Sequence, residues 1–153
     1  MALINESNAH ENWFDVLALW NRIANWIHYQ TSETELRQQF KSMLVYLWSE
    51  KDWLQCQYPT KAKKIEQAID ASKYMGIVGD LANTVKHRNL TRHRRTAATQ
   101  TNYYGKVTVS KGVERRMYYI SIGSGKHEEI MTVLRGALDE FKKLRHGLLS
   151  GSL

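Results

Sequence analysis

A chain of 153 residues that is 42% hydrophobic has the length of one domain, 1–153, able to bury roughly two-thirds of its unfolded surface in a single core. Its 22 basic against 15 acidic residues leave a formal net charge of +7, which argues against cationic partners and for anionic ones. The lone Cys56 excludes an intramolecular disulfide and a multi-cysteine zinc site, residues 1–6 lack the basic lead and apolar run of a secretory signal, and no apolar stretch approaches about 18 residues, so a cytoplasmic protein with no membrane association is expected.

The first predicted element is an amphipathic helix over residues 12–29, where Trp13, Val16, Leu17, Trp20, Ala24 and Ile27 recur at three- and four-residue spacing. Ser32-Glu33-Thr34-Glu35 reads as a capping box opening a second helix, with Leu36, Phe40, Met43, Leu44, Leu47 and Leu54 on one stripe and an end before Pro59. Thr60 is positioned to cap a third, long helix whose stripe runs Ile65, Ala68, Ile69, Ser72, Gly76 and Gly79. Each glycine costs about 1 kcal/mol of helix propensity relative to alanine, so close packing of a neighbour or a local break is expected there.

Residues 96–102 are small and polar without helical periodicity and read as an exposed loop. Residues 106–110 and 116–122 are rich in Val, Tyr and Ile and are joined through Lys111-Gly112-Val113, the pattern of a two-stranded hairpin that needs the helices for support. After Gly123-Ser124-Gly125, the residues Ile130, Val133, Leu134, Ala137, Leu138, Phe141, Leu144 and Leu148 give the clearest helical stripe in the chain. The expected fold is mainly α, four helices with a small β-hairpin before the last. Trp20, Leu44, Leu47, Ile69, Leu134, Leu138 and Phe141 are its expected core positions.

The charge is concentrated. Between Asp80 and Glu114 there is no acidic residue, while Lys86, Arg88, Arg92, Arg94, Arg95, Lys106 and Lys111 account for the whole formal net charge. Residues 86–95 alone hold five fixed positive charges and two imidazoles. A local excess of this kind fits a polyphosphate, RNA first and DNA second. The competing structural reading is a solvated basic helix end, where cations offset the negative end of the helix dipole.

Within that stretch, Arg88-Asn89-Leu90-Thr91-Arg92-His93 forms an R-x4-H motif. On a helix, positions five apart lie about 140° apart around the axis, so Arg88 and His93 would flank one edge and need a second surface to complete a site. The motif resembles the active-site motif of HEPN (higher eukaryotes and prokaryotes nucleotide-binding) domains, all-α bundles in which R-x4-6-H, often with a polar residue after the arginine, marks metal-independent endoribonucleases of toxin and phage-defence systems. The resemblance implies a HEPN-like four-helix bundle. It also implies that His93 moves the proton of the ribose 2′-hydroxyl or the leaving 5′-oxygen, Arg88 stabilises charge on the scissile phosphate, and Asn89 orients His93 or the substrate, with no cofactor or metal. Histidine titrates near neutrality and guanidinium is an always-charged planar fork, so the residue types suit these roles. Lys86, Arg92, Arg94 and Arg95 would contact phosphates. Paired motifs in the family imply a homodimer, and the glycine and alanine stripe of the third helix offers close helix contact.

A second register also resembles the family pattern: Asn83 and His87 fall in place, with Ala82 where the arginine belongs. If this register is the equivalent one, the chain is an inactive relative or recruits Arg88 from just beyond. His10, His28, His127 and His146 have no helix-borne histidine partner at metal-ligand spacing, and Gly123-Ser124-Gly125-Lys126 is too short for a P-loop. Two further readings stay open beside the ribonuclease: a non-catalytic nucleic-acid-binding protein using the same basic patch, and an interaction module docking that patch on an acidic protein partner.

Overall fold

Among the described residues, apolar side chains at helical spacing assemble five helices, and a strand-rich segment between the fourth and fifth adds a three-stranded antiparallel sheet. The computed structural model describes residues 2–26, 32–86, 99–110, 113–123 and 125–153, and the side chains of 11–25, 32–85, 117–123 and 125–153. The elements are α1 (Ala2–Trp26), α2 (Glu33–Gln57), α3 (Ala62–Asp70), α4 (Met75–Lys86), β1 (Thr99–Ser110), β2 (Val113–Gly123), β3 (Lys126–Glu129) and α5 (Ile130–Ser150). None of the described helices is long and apolar enough to cross a membrane. The buried apolar side chains form one cluster drawn from all five helices and from β2.

Helix α2 begins where the sequence places it. The Ser32 hydroxyl accepts a hydrogen bond from the Glu35 N–H at 3.2 Å, satisfying one of the donors a helix start leaves unpaired. Its stripe buries Leu36, Phe40, Met43, Leu44, Leu47 and Leu54, and α1 lies alongside it with Trp13, Val16 and Ile23 turned inward. Trp20 is only partly buried at the edge of this core, as a large indole often is, whereas the other expected core positions are enclosed. Helix α1 also starts well before residue 12, at Ala2.

The predicted third helix is divided, which raises the count from four to five. A 3₁₀ turn over Pro59–Lys61 leads into α3, which stops at Asp70. The chain there turns on Ser72, whose hydroxyl donates to the Ile69 carbonyl at 2.6 Å and accepts from the Gly76 N–H at 3.3 Å. Helix α4 then restarts under a carboxylate supplied by α5: Glu140 accepts from the backbone N–H groups of Lys73 at 3.2 Å, Tyr74 at 3.1 Å and Met75 at 2.8 Å. A negative group at a helix N-terminus both satisfies orphan donors and complements the helix dipole. The break is therefore held both by the local turn at Ser72 and by a carboxylate from a distant helix.

Two glycines permit the close approach of aromatic rings. A Cβ on Gly79 of α4 would lie 2.6 Å from the Trp48 ring of α2, and one on Gly136 of α5 would lie 2.2 Å from the Tyr74 ring. The small-residue stripe is thus filled at Gly79 by a side chain of its own chain.

The sheet has the order β1-β2-β3, both pairings antiparallel. The strands exceed the predicted two-stranded hairpin: β1 takes in residues 99–102, which had the composition of a loop, and β3 pairs with β2 through Ile120↔Glu128 and Ser121↔His127. Along β2 burial alternates, with Tyr118 and Ile120 enclosed and Met117, Tyr119 and Ser121 half-exposed. The enclosed face rests on the helices, where the Tyr118 ring meets Phe40 edge-on at 5.5 Å between centroids. Gly125, at φ 67°, lies in the left-handed region that favours glycine and helps turn the chain from β2 to β3. Glu129 then caps α5, its carboxylate accepting from the Met131 and Thr132 N–H groups at 3.0 and 2.9 Å.

Candidate nucleic-acid interface

The basic segment is tethered at both ends by elements that touch each other. It leaves the C-terminus of α4 at Lys86 and rejoins the structure at Thr99, the start of β1, and α4 and β1 are in contact. Arg88, Asn89, His93, His87, Arg92, Arg94 and Arg95 lie outside the described residues, as does the side chain of Lys86. Asn83 is the one predicted site residue whose side chain is described; it is half-buried on α4.

The shifted register begins at a position whose packing is described. Its arginine position, Ala82, is fully enclosed in the core, next to the equally enclosed Leu81. A guanidinium there would displace packed apolar side chains at a cost of several kcal/mol. Position 82 is a packing position in this chain, so any guanidinium serving Asn83 and His87 has to come from elsewhere, with Arg88 the nearest in sequence.

A buried polar cluster in the helical body was not anticipated. The Glu50 carboxylate of α2 is completely enclosed and pairs with the Arg145 guanidinium of α5. The Asn12 side-chain amide of α1 donates to Glu50 Oε2 at 2.9 Å and to the Tyr46 carbonyl at 3.1 Å. Arg145 also stacks over the Trp13 ring, 4.8 Å from its centroid. Burial pushes the Glu50 carboxyl above its ordinary range, while the Asn12 amide and the Arg145 guanidinium pull it back. Three helices converge on this cluster, and the recess beside Arg145, lined by Leu54, Gln57, Tyr58 and Leu149, is too shallow to enclose a nucleotide. Its chemistry is that of a structural tie between α1, α2 and α5.

Both partners carried a sequence signal. Glu50 falls between Leu47 and Leu54 on the apolar stripe of α2, and Arg145 follows Phe141 by four on the stripe of α5. Two opposite charges interrupting two core stripes are candidates for each other. Among the described residues no group of three or more His, Cys, Asp or Glu side chains is placed to hold a metal ion. Comparison with family models, with curated proteins and with solved structures gives no match to this chain.

Proposed function

We propose that this chain is a HEPN-like RNA-binding protein, acting as a metal-independent endoribonuclease of the toxin or phage-defence type. The observation that carries the reading is the concentration of charge. Residues 86–117 hold nine basic residues against the single acidic Glu114, so the excess of this one stretch is larger than the net charge of the whole molecule. In this reading Arg88 holds the scissile phosphate, His93 moves the proton of the 2′-hydroxyl or the 5′-oxygen, Asn89 orients them, and Lys86, Arg92, Arg94 and Arg95 bind flanking phosphates. Asn83 and His87 stand beside them as the alternative pair. The 2′-hydroxyl is the built-in nucleophile, so no metal is required, and the products carry a cyclic phosphate.

A homodimer completes the site in this proposal. Because Gly79 is already filled by Trp48 of the same chain, the dimer rests on the need of a split Arg-to-His motif for a second surface and not on the small-residue stripe. A second reading, a non-catalytic RNA-binding protein, rests on the alanine at position 82, which leaves the Asn83 and His87 register without an arginine of its own.

Incubation of labelled single-stranded RNA with purified protein in EDTA tests the proposal. Removal of a positioned general acid or base costs about 10²- to 10⁴-fold in rate, so His93→Ala is expected to lose most cleavage and keep binding. Loss of cleavage on His87→Ala with none on His93→Ala would transfer the site to the shifted register. Binding without any cleavage would leave the non-catalytic reading. Sedimentation of the free protein as a monomer at tens of micromolar would remove the composite site.

A further inference from the structure

We infer that the outward face of the β1-β2 ribbon is a stacking platform for single-stranded RNA, with Tyr104 and Tyr119 as the base-contacting pair and Lys106 and Arg115 beside them for phosphates. This deepens the reading that the chain binds RNA and rests on it.

The burial of β2 defines the two faces of the sheet. Tyr118 and Ile120 are enclosed against the helices, while Met117, Tyr119 and Ser121 are half-exposed, so odd-numbered positions of β2 belong to the face turned away from the core. The register carries this face across to β1: Tyr104 is opposite Tyr119, Lys106 opposite Met117, and Thr108 opposite Arg115. Directly opposed positions bring Cβ atoms to within about 4.5–5.5 Å, so Tyr104 and Tyr119 form one cross-strand pair, with Lys106 at the next position on this face, opposite Met117, and Arg115 one position further, opposite Thr108. Tyrosine and cationic residue types sharing one strand face suit single-stranded nucleic acid, since every base has a π-face and every phosphate a charge.

Charge favours this occupant over an apolar protein surface. The acidic residue on this face next to Tyr119 is its β3 neighbour Glu129, whose carboxylate is already bonded to the N-terminus of α5. Glu114 falls at an even position, on the opposite face.

The test measures binding of fluorescein-labelled oligouridine, and of an abasic oligomer with the same phosphates, to the full chain across a salt series. Tyr104→Ala is expected to weaken oligouridine binding about 5- to 100-fold and to leave the abasic oligomer unaffected, the signature of lost stacking. Lys106→Ala with Arg115→Ala is expected to weaken both ligands and to lower the slope of log K against log salt by about 1.4. Ultraviolet crosslinking of the unaltered chain gives a readout that does not depend on a variant folding: adducts on the peptides bearing Tyr104 or Tyr119 support the platform. If oligouridine binds, Arg94→Ala with Arg95→Ala weakens it, and both ribbon variants bind like the unaltered chain with crosslinks confined to residues 86–95, the platform is wrong while the RNA reading stands. If the unaltered chain binds polyglutamate and no RNA, both fall and an acidic protein is the partner.

Discussion

The helical body and the stretch from the end of α4 to the middle of β2 solve the problem of charge in opposite ways. Outside residues 86–117 the chain carries 13 basic and 14 acidic residues; the enclosed Glu50 is matched by Arg145 and Asn12, and the half-buried Glu140 serves the N-terminus of α4. Residues 86–117 carry nine basic residues and one acidic, with no such balance available within the segment. A folded body gains by pairing every charge it buries, because an uncompensated one costs several kcal/mol. An excess of one sign on one connected stretch is what an external anion would complement, and the proposed RNA site rests on that contrast.

Stability measurements should separate the two regions, and the largest effect belongs to the buried pair. Glu50→Ala removes one partner and leaves the Arg145 guanidinium enclosed beside Trp13, with an expected loss of about 3 to 5 kcal/mol in denaturant unfolding. Replacing both partners by apolar residues of similar volume should recover much of that loss. A Glu50→Ala protein as stable as the parent would mean that water or another group already serves Arg145.

Next in size is the core stripe of α5. Leu138 is 3% exposed, and Leu138→Ala should cost about 2 to 5 kcal/mol. Loss of the interhelical cap is smaller: Glu140→Ala strips the acceptor from three backbone N–H groups at the α3–α4 break and should cost about 0.5 to 2 kcal/mol, the range of an N-cap. Amide exchange should rise first in the initial turn of α4. By contrast, if Arg94 and Arg95 serve the proposed RNA site, Arg94→Ala with Arg95→Ala should leave unfolding within about 0.5 kcal/mol of the parent while weakening RNA binding.

The smallest effect is a pH dependence. Folding holds the Glu50 proton more tightly than the unfolded chain does, whose carboxyl titrates near 4.5. Folding therefore takes up a proton between that value and the raised folded one. The contribution of this group is fully present below the unfolded value and is lost as pH rises through the folded one. Compared with Glu50→Gln, which cannot titrate, the parent should lose stability across that window as pH increases. A difference between the two proteins that is flat with pH would show that Glu50 titrates as it does in the unfolded chain.

Much of the helical body was legible because its signals are local. The Ser32 cap, the Phe40-to-Leu54 stripe and the Ile130-to-Leu148 stripe are read at intervals of three and four residues, and each corresponds to an observed helix. The glycines of the third helix pointed to close packing or a local break, but the place of the break between α3 and α4 was not legible, since the carboxylate that caps α4 comes from Glu140, 65 residues or more along the chain. Strand β3 was missed for a related reason: Lys126-His127-Glu128-Glu129 has no strand-forming side chains, and its place is set by pairing with β2. In the candidate site, the sequence reading named charged and titratable residues, and of these the structure describes the side chain of Asn83 alone. What the structure adds is the enclosure of Ala82 and the outward face of the ribbon, both of which depend on which neighbour covers a residue.

The most direct test of the central claim, that residues 86–117 are an RNA site, is the salt dependence of single-stranded RNA binding by the unaltered protein. At about 0.7 counterions released per neutralised phosphate, contacts from five or more of the nine basic residues should give a slope of log K against log salt near −3.5 or steeper, reduced by about 1.4 in Arg94→Ala with Arg95→Ala. No binding at low salt, or binding with a slope near zero, would contradict it.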